Sequence, residues 1–246
     1  MSRGSPQAVT YRTLPLTILM NFDTDTFGNA IGTPTSLPVQ QPYASQGITF
    51  RPNVGAWGGP NGPPPYAYWP CAQDTWITPC IARSPVNVIT NQTFDGQYIT
   101  NPFVIDPNPV TVDCGSPIAE VSIFTLLTSP QSPPPQLKSG EIQGLPYLIA
   151  YDEHGKQIGT PAIYPLDKLP GQDQTDWTTG VWQQLSVSTG QKNSIYSFSF
   201  STALYNGTAL YTAYFDCLSI QRILTYRWPP YKIPGTPNEN LEADLK

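Results

Sequence analysis

Apolar and polar residues alternate with a period of two along much of the chain. In "SIYSFSFS", Tyr196, Phe198 and Phe200 fall on one face and Ser197, Ser199 and Ser201 on the other, the pattern of a half-buried strand. "LTILMNF", "GITFRP", "AEVSIFTLL", "YLIAYD", "KQIGTPAIY", "WQQLSVS" and "YFDCLSIQRI" predict further strands, with turn residues between them. Asp152 to Gly155 lies between two such runs and predicts a hairpin turn. No amphipathic helical pattern of roughly ten to fifteen residues separates the strands, which excludes a parallel α/β fold. The pattern therefore predicts an all-β chain folded as an antiparallel two-sheet sandwich.

The alternation defines the expected domain plan. Residues 1–16 read as an N-terminal arm, 17–224 as the sandwich and 225–246 as an extended tail. Within the sandwich, residues 51–118 form a long Pro/Gly-rich insertion in which only "VNVIT" and "QYITNPFVI" suggest short strands. Residues 128–145, with three consecutive prolines, read as a loop between strands.

The insertion holds "GAWGGPNGPPPYAYWPC", residues 55–71, too rich in Gly and Pro for a helix or a central strand. It nevertheless carries Trp57, Tyr66, Tyr68 and Trp69, with Asn61, Asp74 and Trp76 nearby. Flat aromatic bodies suit the C–H face of a pyranose ring, and neighbouring polar groups suit its hydroxyls. These seven residues are the candidate ligand platform. The same rings would equally cover the protein's own core, and the sequence leaves both open. "DQTDWTTGVW", with Asp173, Asp176, Trp177 and Trp182, is either a second rim or a loop entering a strand with Trp182 in the core.

Composition narrows the partners. Twelve basic against 17 acidic residues, a net charge of −5, provide no basic field for nucleic acid or an anionic membrane. Charged residues make up 12% of the chain and Pro reaches 29 residues, so uncharged polar side chains must cover the surface. That suits a secreted or cell-surface β-protein. The apolar run "LPLTILM" is far shorter than the roughly 20 residues that span a bilayer, and no cleavage pattern follows it.

Four cysteines, without paired C-x-x-C spacing and with His154 as the only histidine, argue against zinc. The expected disulfides are Cys71 with Cys80 and Cys114 with Cys217, and four free thiols are the alternative. "NQT" at Asn91 and "NGT" at Asn206 are glycosylation sequons.

"TILMNFDTDTFGNAIGTPTSLPVQQPYASQGITF" and "TAYFDCLSIQR", with "AYDEHGKQIGT" and "WQQLSVSTGQKNSIYSFSFS" between them, resemble galactose-binding-like jelly-roll sandwiches. That group includes many carbohydrate-binding modules. The resemblance covers residues 17–50 and 119–222, and implies a jelly-roll sandwich with a structural calcium ion between its first and last strands. The matching carboxylates are Asp23, Asp25 and Asp216; a loop such as "DTDTFGN" offers the oxygens that calcium takes. The alternative is that Asp23 and Asp25 cap a turn and Asp216 faces solvent.

Catalysis finds few parts. A Ser-His-Asp system would rest on His154, in a predicted turn. A glycosidase needs two carboxylates; Glu120, in an apolar strand, opposed by Asp113, Asp152 or Asp216, is the candidate pair, and outward-facing strand residues are the simpler account. The expected function is non-catalytic extracellular binding of a glycan or polysaccharide. The alternative is a structural subunit of an extracellular assembly whose terminal arms reach a neighbouring copy, with no nucleic-acid partner and no membrane insertion.

Overall fold

The computed structural model describes residues 10–31, 35–51, 66–68, 88–90, 109–127, 144–169, 182–202 and 213–228. Among them are β1 (Thr10–Met20), β2 (Thr35–Ser36), β3 (Ile48–Phe50), β4 (Tyr66–Tyr68), β5 (Val88–Thr90) and β6 (Val110–Ile118). β7 (Glu120–Leu127), β8 (Pro146–Tyr151), β9 (Gln157–Ile163), β10 (Gln183–Ser188), β11 (Ile195–Thr202) and β12 (Ala213–Trp228) follow. A short α-helical turn, Leu37–Gln40, and a 3-10 turn, Ala44–Gln46, precede β3, and a second 3-10 turn, Leu166–Lys168, follows β9.

The strands form two antiparallel sheets, as the alternation predicts. The seven-stranded sheet runs β10-β7-β12-β5-β4-β2, with β1 also paired to β12; the five-stranded sheet runs β3-β6-β11-β8-β9. Between them lies a core that includes Phe22, Phe50, Val112, Ile123, Leu148, Phe198, Phe200 and Phe215. Phe200 of β11 and Phe215 of β12 meet with ring centroids 4.9 Å apart, a direct contact between the sheets. The architecture is a β-sandwich.

Two departures from the expected plan shape the surface. β1 begins at Thr10, inside the segment read as an arm, and pairs with β12 along its whole length, from Thr10 opposite Trp228 to Met20 opposite Leu218. β6 lies in the insertion, where Gly115 and Pro117 obscure its alternation. Gly115 runs close beside Gly47: its N–H donates to the Gly47 carbonyl at 2.7 Å, and an added Cβ would lie 3.4 Å from Gly47 Cα and O, an ordinary contact, whereas Gly47 itself sits at φ +74, a conformation that favours glycine.

β12 carries a β-bulge. Asp216 pairs with Phe124 and Ser219 with Ser122, so Cys217 and Leu218 together oppose Ile123. Cys217 takes φ +50 at the bulge. The core-facing parity switches there, from Ala213 and Phe215 before it to Leu218 and Ile220 after it.

Candidate functional site

The bulge explains why the expected Cys114–Cys217 disulfide does not form. Both cysteines are free. Cys114 lies on β6 of one sheet and points into the core, where burial pushes its thiol up to about 12. Cys217 lies on the opposite sheet at the bulge, half-buried, where the extra residue takes it out of the inward alternation. Cys71 and Cys80 lie outside the described residues, as do Trp57, Asn61, Trp69, Asp74, Trp76, Asp173, Asp176 and Trp177. Trp182 is half-buried just before β10.

Of the expected platform, positions 66 and 68 are placed by backbone register. The stretch expected to be irregular contributes β4, paired on one side with β2 and on the other with β5. Ala67 registers with Ile89, and Ile89 with Phe215, both in the core.

The carboxylates expected to bind calcium have other partners. Asp25 Oδ1 accepts the N–H groups of Phe27 and Asn29, each at 2.8 Å, and Oδ2 accepts the Asn29 side-chain amide at 2.9 Å. The Asn29 side-chain bond, followed by those backbone N–H groups, holds the Asp25 carboxyl below its ordinary value. Asp25 thus caps its own loop. Asp216 does not face solvent: it is fully buried, and its Oδ1 accepts the Cys217 N–H at 2.6 Å. Asp23 is half-buried beside that loop. No three His, Cys, Asp or Glu side chains form a metal-holding group among the described residues, although Asp23, Asp25 and Asp216 all lie near enough to Tyr43 to act on its hydroxyl.

Nor are the candidate glycosidase carboxylates brought to Glu120. Glu120 opens β7 of the seven-stranded sheet, where the Ser186 hydroxyl reaches it at 3.4 Å. Asp113 lies on the five-stranded sheet, and Asp152 caps the β8–β9 turn, accepting the His154 and Lys156 N–H groups at 2.9 Å. Asp216 is four rungs along β7, opposite Phe124, and Gln221 is the residue opposite Glu120. His154 stands exposed in the turn beside Glu153, as expected of a turn histidine.

Register assembles a different group, on the outer face of the five-stranded sheet. Thr49, Asp113, Ser197, Tyr151 and Gln157 stand opposite one another in a single row across β3, β6, β11, β8 and β9. Phe50 and Val112, Phe198, Ala150 and Leu148 face inward from the same strands, which holds the row on the outside. At one end Arg51 clamps Asp113 with two charge-assisted bonds, Nε to Oδ2 at 2.6 Å and Nη2 to Oδ1. That pair raises the Arg51 value. Both side chains remain partly open, at 55% and 38% exposure. Towards the other end the Tyr151 hydroxyl bonds the Ser199 hydroxyl at 2.9 Å, fixing the ring, and Gln157 is exposed.

The row combines one oriented, half-buried aromatic ring, hydroxyls and an ion pair; Ser197 at its middle is buried, as are Ser199 and Ser201 along β11, so its open parts are the Arg51–Asp113 end and the Gln157 end. Sequence alternation places Ser197 and Ser199 on one face of β11, and "YLIAYD" places Tyr147 and Tyr151 on one face of β8. That Asp113 and Tyr151 flank Ser197 depends on sheet order, which one sequence does not reveal. No protein-family model matches this chain, and no curated protein matches it either.

Proposed function

We propose that the protein is a non-catalytic carbohydrate-binding module, secreted or displayed at a cell surface, of the galactose-binding-like jelly-roll kind. The glycan face in this reading is the row Thr49–Asp113–Ser197–Tyr151–Gln157 with Arg51. The observation that carries it is that register sets an oriented tyrosine among hydrogen-bonding groups of both signs, about 5 Å apart from strand to strand. A saccharide presents an apolar C–H face to stack on Tyr151 and hydroxyls that donate to Asp113 and accept from Arg51. Calcium has no part in this reading.

The test is a glycan array and insoluble-polysaccharide pull-down on the intact chain, with and without a chelator. Tyr151→Ala, checked for folding by near-UV circular dichroism, is expected to weaken binding about tenfold, one aromatic contact. Chelation is expected to change nothing. Binding that survives Tyr151→Ala and Asp113→Ala but is lost on replacing Trp57, Tyr68 and Trp69 with alanine would move the site to the insertion. Absence of binding throughout would remove the reading.

A second reading, a subunit of an extracellular assembly, is favoured by the exposure of β1, an edge strand with Tyr11, Leu14, Leu16 and Leu19 all more than two-fifths exposed.

A further inference from the structure

Charge is nearly absent from the sheet that carries the row. Its strands, β3, β6, β11, β8 and β9, contain one acidic residue, Asp113, and no Lys, Arg or His. Arg51 follows β3, where its backbone N–H donates to the Thr111 carbonyl at 2.8 Å, and this sets it diagonally beside Asp113, which stands opposite Thr49. The two charges are spent on each other. An ion pair this open to water adds little to stability, so stability does not account for a lone pair of charges on an otherwise uncharged sheet.

The pair still has capacity for a guest. Nε and Nη2 each give Asp113 one N–H, which leaves the two N–H groups of Nη1 and the second of Nη2 on a side chain 55% exposed. An arginine fork takes a carboxylate or sulfate end-on through two parallel bonds. Such an anion on Arg51 would lie beside the Asp113 carboxylate, and like charges this close oppose each other. The chain's net charge of −5 supplies no long-range attraction to offset that repulsion. A neutral saccharide meets no opposition: one hydroxyl accepts from Arg51 and its neighbour donates to Asp113, whose oxygens each keep a lone pair.

We infer that Asp113 is a specificity-determining residue of the glycan face: by cancelling the charge of Arg51 it confines the face to neutral saccharides and turns away uronic-acid and sulfated ones. Selection of this kind works through a repulsive element set against the wrong ligand. The inference rests on the glycan reading of the row and goes beyond it by naming the class of sugar.

The test compares the parent, Asp113→Asn, and Asp113→Asn with Arg51→Gln on an array of neutral, uronic-acid and sulfated glycans. Affinity electrophoresis through gels holding polygalacturonate or its fully methyl-esterified form then isolates charge on one backbone. Folding is checked by near-UV circular dichroism. The parent is expected to bind neutral glycans only. Asp113→Asn keeps the shape of the side chain and leaves Arg51 uncancelled, so it is expected to gain about tenfold or more on polygalacturonate relative to the parent, a gain that fades as salt rises. Arg51→Gln in the same chain is expected to abolish the gain, and Asp113→Ser to reproduce it. A parent that prefers uronic-acid or sulfated glycans, or folded Asp113→Asn and Asp113→Ser chains that gain nothing on anionic ones, would overturn the inference and leave the glycan reading standing. A parent that binds no glycan would remove the reading itself, and the inference with it.

Discussion

Tyr43 joins the first loop to the core with one hydroxyl. The Phe22 N–H donates to it at 3.0 Å, and it donates to the Thr24 carbonyl at 2.9 Å, while its ring meets Phe22 edge-on at 6.0 Å. Phe22 is fully buried at φ +62, a conformation that a bulky residue keeps only when surroundings hold it there. Tyr43→Phe would strand both backbone groups and is expected to destabilise by about 1–3 kcal/mol in urea unfolding. Burial, and then the nearby Asp23, Asp216 and Asp25, push the Tyr43 hydroxyl well above its ordinary value. A raised folded value means that this contribution is complete below the ordinary tyrosine range and declines as pH rises above it. Stability should therefore fall on the alkaline side, and less steeply in Tyr43→Phe than in the parent.

Strands could be read from alternation; their neighbours could not, and on β11 their faces only in part: a register shift between Ile195 and Ser197 leaves Tyr196 exposed, off the face of Phe198 and Phe200, while Ile195 is buried, and Ser197, Ser199 and Ser201 are buried as well. β7, β8, β10 and β11 lie where the pattern predicts, and the turn at Asp152 forms with Gly155 at φ +74. β6 was hidden by Gly115 and Pro117, and the bulge in β12 left no trace that alternation could show. The missed disulfide has the same origin as the bulge, because a strict period of two gives Cys217 a partner that the extra residue takes away. The outer-face row was half legible: the serine face of β11 is plain, whereas Asp113 and Arg51 reach it from strands far away in the sequence. The bulge also makes a prediction at its own scale. Cys217 sits at φ +50, where a side chain is disfavoured by about 1–2 kcal/mol. Cys217→Gly should stabilise the protein by about 1 kcal/mol, and Cys217→Val, branched at Cβ, should destabilise it at least as much, both measured as shifts in urea midpoint at constant slope.

At the scale of the whole molecule, the row and the core lie on opposite faces of the five-stranded sheet: Asp113 and Tyr151 point outward from strands whose Val112 and Ala150 point into the core. Replacing an outward side chain therefore leaves the packing between the sheets in place. Asp113→Asn keeps the shape of the side chain but removes the charge that holds Arg51. Both groups of that pair are partly open to water, so its loss is expected to cost at most about 1 kcal/mol in urea unfolding. If Asp113 also accepts from a saccharide hydroxyl, the same variant is expected to weaken binding about tenfold or more by calorimetry, because a hydrogen bond to a charged group is worth about 1.5–3 kcal/mol. Unchanged affinity in a folded Asp113→Asn chain would take the ion pair out of the glycan face.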